Sequence, residues 1–302
     1  MGATEQTSAP TVLETLRERV YRPELLVAPL VVFELAFFVV PLIMLVRVSL
    51  LEQTTSGAYV AGTLTLANYQ EVLFSSHFQD ILFFSFKFAI LVTTIATVLS
   101  VFFAYAIWRA DGILKNALLF IVVVTLLTTL VVRLFSILII LSPNGPLNQL
   151  LVAIKVLRQP VLLVTNLFGA TVGQVYTIFP YTVLSIYSVL SILDWAKVEA
   201  ARDLGATELV SFREIVLPQI TSGILVGAVI SFAWSFGAYA APFLLGSTRQ
   251  DTAAMEVYRL MVTRFNWPLA TALSFVVLLV VLASVSLLFF VSDDNLGDAY
   301  GT

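Results

Sequence analysis

Six apolar blocks, each at or beyond the about 20 residues that an α-helix needs to cross a hydrocarbon core, constrain this chain more than anything else in it. They run Leu25 to Val46, Ile81 to Ile107, Ala117 to Leu141, Ala170 to Leu193, Gln219 to Leu245, and Leu269 to Val291. A bilayer offers no water to stray backbone N–H and C=O groups, so such blocks fold as helices that close their own hydrogen bonds. Composition agrees, with 59% hydrophobic and only 12% charged residues, where soluble domains carry about 25% charged. The expected class is an all-α integral membrane protein with six transmembrane helices. The blocks divide the chain into a leader (1–24), a first helix (25–50), a loop (51–80), a five-helix core (81–291) with a charged internal loop (194–218), and a tail (292–302).

A polar leader precedes the first block, whose apolar run is longer than the central region of a cleaved signal, so this block is expected to remain as a helix. Basic residues set its orientation. Arg17, Arg19, Arg22, Arg109, Lys115, Lys197, Arg202 and Arg213 fall on one side, and Lys155, Arg158, Arg249, Arg259 and Arg264 on the other. The richer side is expected to be cytoplasmic, which puts both termini in the cytoplasm and residues 51–80 outside.

Several chemistries lack their residues. Cysteine is absent, which removes disulfides and thiolate metal sites. The one histidine, His77, has no nearby acidic or thiol ligands in sequence and is expected to be an ordinary surface residue in the loop after the first helix. No G-x-x-x-x-G-K-[ST] loop occurs, so any ATP, with its Mg, must bind a separate subunit. A net charge of −3 gives no basis for a nucleic-acid partner. The chain is expected to be a transport subunit rather than an enzyme, with no cofactor of its own.

Ionisable residues inside the blocks are few: Glu34, Lys87 and Arg133, with Arg47 near an end. Charge in hydrocarbon costs at least about 2.5 kcal/mol, so each is a functional candidate. An ion-coupled secondary transporter is the alternative reading, although a proton relay needs a chain of such groups. Two helices carry small residues every four positions, Gly223, Gly227, Ser231 and Ser235 in the fifth and Gly169, Gly173 and Thr177 in the fourth, a spacing that admits a neighbouring backbone. Pro180 and Pro242 each remove a backbone donor, which a membrane tolerates only against protein or a water-filled cavity. Gln174, Tyr176, Thr177, Pro180, Tyr181, Trp234 and Tyr239 are therefore the candidates for lining a solute path.

The stretch "EAARDLGATELVSFREIVLP", Glu199 to Pro218, concentrates charge between two membrane helices. It reads as two short helices broken at Gly205, where a left-handed cap is expected. Thr207 offers an N-cap hydroxyl, and Glu208 sits in the first turn, where a carboxylate complements the helix dipole. Ala200, Ala201 and Gly205 leave a low face beside Leu204 and Phe212, both expected to project as a docking surface would need.

The spacing Glu199-Ala200-Ala201, Gly205, Ile215 and Leu217-Pro218 resembles the signature of the permease subunits of binding-protein-dependent ABC importers. The flanking phrases "YTIFPYTVLSIYSVL", "FGAYAAPFLLGS" and "NWPLATALS" extend the resemblance over about Ile81 to Val291 and look most like the polyamine branch. Ala238 departs from it, standing where polyamine permeases often carry an acidic residue. The resemblance implies a Type I importer permease fold with a cytoplasmic coupling-helix elbow, a dimer of ABC ATPase subunits, a second permease subunit and an external solute-binding protein. It assigns Glu199, Ala200, Ala201 and Gly205 to contact with the ATPase, beside the projecting Leu204 and Phe212, and Ile215, Leu217 and Pro218 to the exit from the elbow into the fifth helix. It also implies a prokaryotic cell membrane and a small polar cargo such as spermidine or putrescine.

Overall fold

A computed structural model describes residues 23–54, 59–247 and 251–300. Most of the expected leader, Arg249 and the last two residues lie outside the described residues. Among those described there is no β-strand beyond one isolated bridge, Glu52 with Val60. Four helices are long and apolar enough to cross a membrane, and six spans result when each bent helix pair counts as one.

The first span, Pro23–Glu34 continuing into Val40–Ser49, contains a wide π-turn at Leu35–Val39. A second π-turn, Phe212–Val216, sits at the start of the fifth span. Each ends just before a proline, Pro41 or Pro218, whose ring would crowd the carbonyl four residues back. The wide turn relieves that clash.

The second span is one helix, Ser76–Arg109, which starts before the expected Ile81 because the apolar count ignores its polar first turn. His77 accordingly lies on this helix and not in a loop. The third block is not one helix. It divides into Gly112–Leu127 and Leu130–Leu141, with Thr128 and Thr129 extended between them. Neither Gly nor Pro marks this break, and it survives because the Arg133 side chain serves the freed carbonyls. Its Nε donates to Thr128 O at 2.9 Å and its Nη2 to Leu126 O at 3.4 Å.

The fourth span, Leu167–Leu190, and the fifth, Thr221–Phe236, pack against each other and against the second to form the centre of the fold. The glycine stripes explain how. A Cβ on Gly223 would stand 2.9 Å from the Ser185 carbonyl, and one on Gly227 would stand 2.9 Å from Thr182 Cγ2. The small face of the fifth span is thus filled by the fourth span of the same chain. The sixth, Trp267–Tyr300, continues as helix beyond the apolar limit at Val291.

Candidate functional site

Between the fourth and fifth spans the chain turns away from both. The helix Trp195–Asp203 is bent 69° from the fourth span, and Glu208–Gln219 is bent 68° from the fifth. Local chemistry fixes this elbow at three points. Asp194 caps the first helix, accepting from Ala196 N at 2.9 Å. Gly205, at φ +93°, closes it: Gly205 N donates to Arg202 O at 2.8 Å and Ala206 N to Ala201 O at 3.0 Å, the paired bonds of a left-handed helix end. Thr207 then starts the second helix, its Oγ1 accepting from Val210 N at 3.4 Å.

The elbow has an inner and an outer face. Val198 and Val216 are buried with Ile107 of the second span and Val183, Ile186 and Leu190 of the fourth, while Ile215 and Leu217 pack against the same cluster. Outside, Leu204 is 91% exposed and Leu209 is 76% exposed. Glu199 and Ala200 are exposed beside them, and Ala201 is half-buried. The Glu199 carboxylate accepts from Trp195 Nε1 at 2.8 Å. Leu209 was not among the residues singled out in sequence, because a lone leucine within an amphipathic pattern carries no mark of which way it faces.

Phe212 does not project. It begins the π-turn before Pro218 and turns inward, edge-on to Tyr105 at 4.9 Å and stacked on Phe102 at 6.4 Å. A cleft of about 250 Å³ remains among Phe102, Tyr105, Glu208, Leu209 and Phe212. Glu208 joins the elbow to the second span, its Oε1 lying 2.8 Å from Arg109 Nη1 and also against Arg202. The hydrogen bond from Arg202, followed by that from Arg109, lowers the Glu208 carboxyl below its ordinary value. Both attachments are therefore formed at neutral pH, and they weaken only as the pH falls through that lowered value.

The solute-path candidates separate into two groups. Gln174 and Thr177 are 3% and 2% exposed and, with Pro180, lie inside the chain's own helix packing. Thr177 Oγ1 bonds Gly173 O at 2.8 Å. Tyr176 is half-buried. Tyr181 and Trp234, from the fourth and fifth spans, come together with ring centroids 5.2 Å apart. Further from the elbow, Tyr239 stacks on Phe243 at 5.1 Å and tilts on Tyr258 at 5.2 Å. A cleft of about 420 Å³ opens next to them, walled by Pro242, Phe243, Asp251 and Arg259 among others.

His77 is more than an isolated surface residue. It is half-exposed, and its Nε2 lies 3.5 Å from Oε1 of a fully buried carboxylate, Glu256. Arg259 and Arg264 also hold that carboxylate, at 3.0 Å and 3.5 Å. Sequence distance concealed this cluster, since His77 and Glu256 are brought together only by the fold.

Comparisons with known proteins agree with this architecture. The family described as "Binding-protein-dependent transport system inner membrane component" matches residues 96–297, which include the elbow. The spermidine/putrescine transport system permease protein PotB of Escherichia coli (strain K12) is 28% identical over 238 residues, covering 79% of this chain and 86% of its own. A bacterial ABC transporter chain involved in import of the acidic polysaccharide alginate superposes with a TM-score of 0.73 at 19% identity, covering 93% of this chain and 99% of that one. A second structure of a bacterial alginate ABC transporter, in complex with a pentasaccharide-bound periplasmic protein, gives 0.65 at 17% identity, covering 92% and 96%. With its helical fold and two-thirds of its length matched, the chain belongs to the family of inner membrane components of binding-protein-dependent transport systems.

Proposed function

We propose that this chain is the permease subunit of an ATP-driven importer whose cargo is a polyamine such as spermidine or putrescine. The observation that carries the proposal is the elbow: two bare leucines, Leu204 and Leu209, on a segment whose other face is packed into the core. Exposed apolar side chains on a well-anchored segment suit a partner's groove. In this reading the groove belongs to an ABC ATPase dimer, which binds ATP and Mg and closes around the bound nucleotide. Glu199, Ala200, Ala201, Leu204 and Gly205 form the contact, while Phe212, Ile215, Leu217 and Pro218 tie it to the spans. The elbow and both termini are cytoplasmic, and an external binding protein delivers cargo to a path shared with a second permease subunit. Tyr181, Trp234 and Tyr239 offer that path aromatic faces, which attract ammonium groups. The similarity to PotB supports the cargo class.

Uptake of labelled spermidine into proteoliposomes tests this directly, using chain co-purified with its ATPase and the binding protein present outside. Uptake should require ATP within the ATPase-side compartment and stop with Leu204→Glu. Uptake that persists on a proton gradient without the ATPase would instead establish an ion-coupled carrier.

A further inference from the structure

The second span is unlike its neighbours. Over 34 residues, Ser76–Arg109 carries neither proline nor glycine and no break, whereas the third span is interrupted at Thr128–Thr129, the fourth contains Pro180 and the fifth bends by 68° at its start. At about 1.5 Å per residue the helix is about 51 Å long, well beyond a hydrocarbon core of about 30 Å. Both ends therefore reach past the membrane, and each is attached to a different non-spanning segment.

At the elbow end, Arg109 in the last turn holds Glu208 at 2.8 Å. Rings reinforce the ion pair, with Tyr105 against Phe212 and Trp108 edge-on to Trp195, each at 4.9 Å. At the far end, Ser85 Oγ accepts from Ala253 N at 2.8 Å in a buried bond, and His77 faces Glu256 at 3.5 Å. The segment reached there, Asp251 to Arg264, is held together by Arg259 between Asp251 and Glu256, at 2.6 Å and 3.0 Å. Thr252 Oγ1 also donates to Ala238 O at 2.7 Å.

We propose that the helix Ser76–Arg109 is the rigid member that carries displacement of the elbow to the segment Asp251–Arg264, and that Arg109 is the positioning residue of its elbow-end attachment. The proposal rests on the elbow's reading as the ATPase contact. Its physical basis is that a packed helix without a hinge moves as a unit, so a shift imposed at one end has to appear at the other. The spans that carry a proline, a bend or a break can absorb such a shift at those points.

The absence of cysteine makes the test clean. Val262→Cys, at a position 51% exposed in the far segment, is labelled with an environment-sensitive fluorophore in the full complex, and the emission change on trapping with ATP and vanadate is recorded. Three variants are compared with this labelled parent: Arg109→Glu, the conservative Arg109→Lys, and Ser85→Ala. Arg109→Glu should keep ATPase retention at the parent level and reduce the emission change at least fivefold, while Arg109→Lys, which keeps a cation facing Glu208, should retain most of it. Ser85→Ala should reduce it with retention intact. Full emission change in Arg109→Glu, its loss in Arg109→Lys, or no change in the labelled parent would each overturn the proposal. Loss of ATPase from Arg109→Glu would make Arg109 part of the docking surface and overturn it too. Leu204→Glu reports separately on docking: unchanged ATPase retention there would sink the elbow reading itself, and this proposal with it.

Discussion

Arg133, on the third span, donates its Nη1 to the carbonyl of Thr177 on the fourth at 3.0 Å. It is 5% exposed, and its remaining donors go to Thr128 and Leu126 at the break within its own span. Pro180 orphans the carbonyl of Tyr176, and Arg133 serves the next one along. One side chain thus secures two irregular stretches of backbone inside the membrane.

Arg133→Met should therefore destabilise the protein through the carbonyls it leaves unserved, each worth about 1–3 kcal/mol when buried. Thermal unfolding in detergent should fall by several degrees, and Arg133→Lys, which can serve one carbonyl, should recover part of the loss. A melting temperature unchanged in Arg133→Met would mean that water enters the break and does the same job.

Glycines in the fifth span and in the elbow should respond to substitution to different degrees and for different reasons. Gly223→Leu places a side chain where the Ser185 carbonyl is already 2.9 Å from a Cβ, so overpacking of about 1–3 kcal/mol and poor yield are expected. Gly205→Ala meets nothing within 4 Å and carries only the left-handed φ penalty of about 1 kcal/mol. Size-exclusion profiles and melting curves for the two variants check the contrast. Equal behaviour would contradict it.

Sidedness can be read with single cysteines. Leu64→Cys, in a residue 79% exposed, should react with an impermeant maleimide in intact cells, and Leu204→Cys, at 91% exposed, should react only after permeabilisation. Labelling of position 204 from outside would reverse the orientation and remove the elbow from the reach of a cytoplasmic ATPase.

Gly205→Val tests the elbow as a mechanical part. The β-branched side chain opposes φ +93° without touching neighbouring atoms, so the spans should insert normally. The relative angle of the two short helices should change, and with it the spacing of Leu204 and Leu209. The expected result is near-parent protein levels with weakened ATPase retention and uptake reduced at least tenfold. Glu199→Lys, which also loses the bond to Trp195 Nε1, should act in the same direction. Parent-level uptake from both variants would reduce the stretch to an ordinary loop.

Much of this was legible in the sequence because membrane folding is governed by a one-dimensional constraint. Apolar length placed the spans, and Gly205 with Thr207 placed the break in the elbow, since both rest on local backbone chemistry. The break at Thr128–Thr129 was illegible because its cause is a side chain five residues on and a carbonyl on another helix. The inward turn of Phe212 was misread for a similar reason: an aromatic residue in an amphipathic stretch fits either face until Phe102 and Tyr105 are known to lie alongside. Glu256 and His77 could not have been paired from their positions 179 residues apart.

The divided third span has a consequence for how the chain is made. Its first piece, Gly112–Leu127, is too short to cross the bilayer alone, while its second is long enough only together with the helix that follows it, over Leu130–Ala153. A translocon sorting segments by apolar length must therefore accept Leu130–Ala153 with the Arg133 charge inside it, at a cost of about 2.5 to 3.5 kcal/mol. That cost stays uncompensated on the fourth-span side until residues around Thr177 have been synthesised. The two spans are thus bound into one step of biogenesis: the third is not finished until the fourth has arrived beside it.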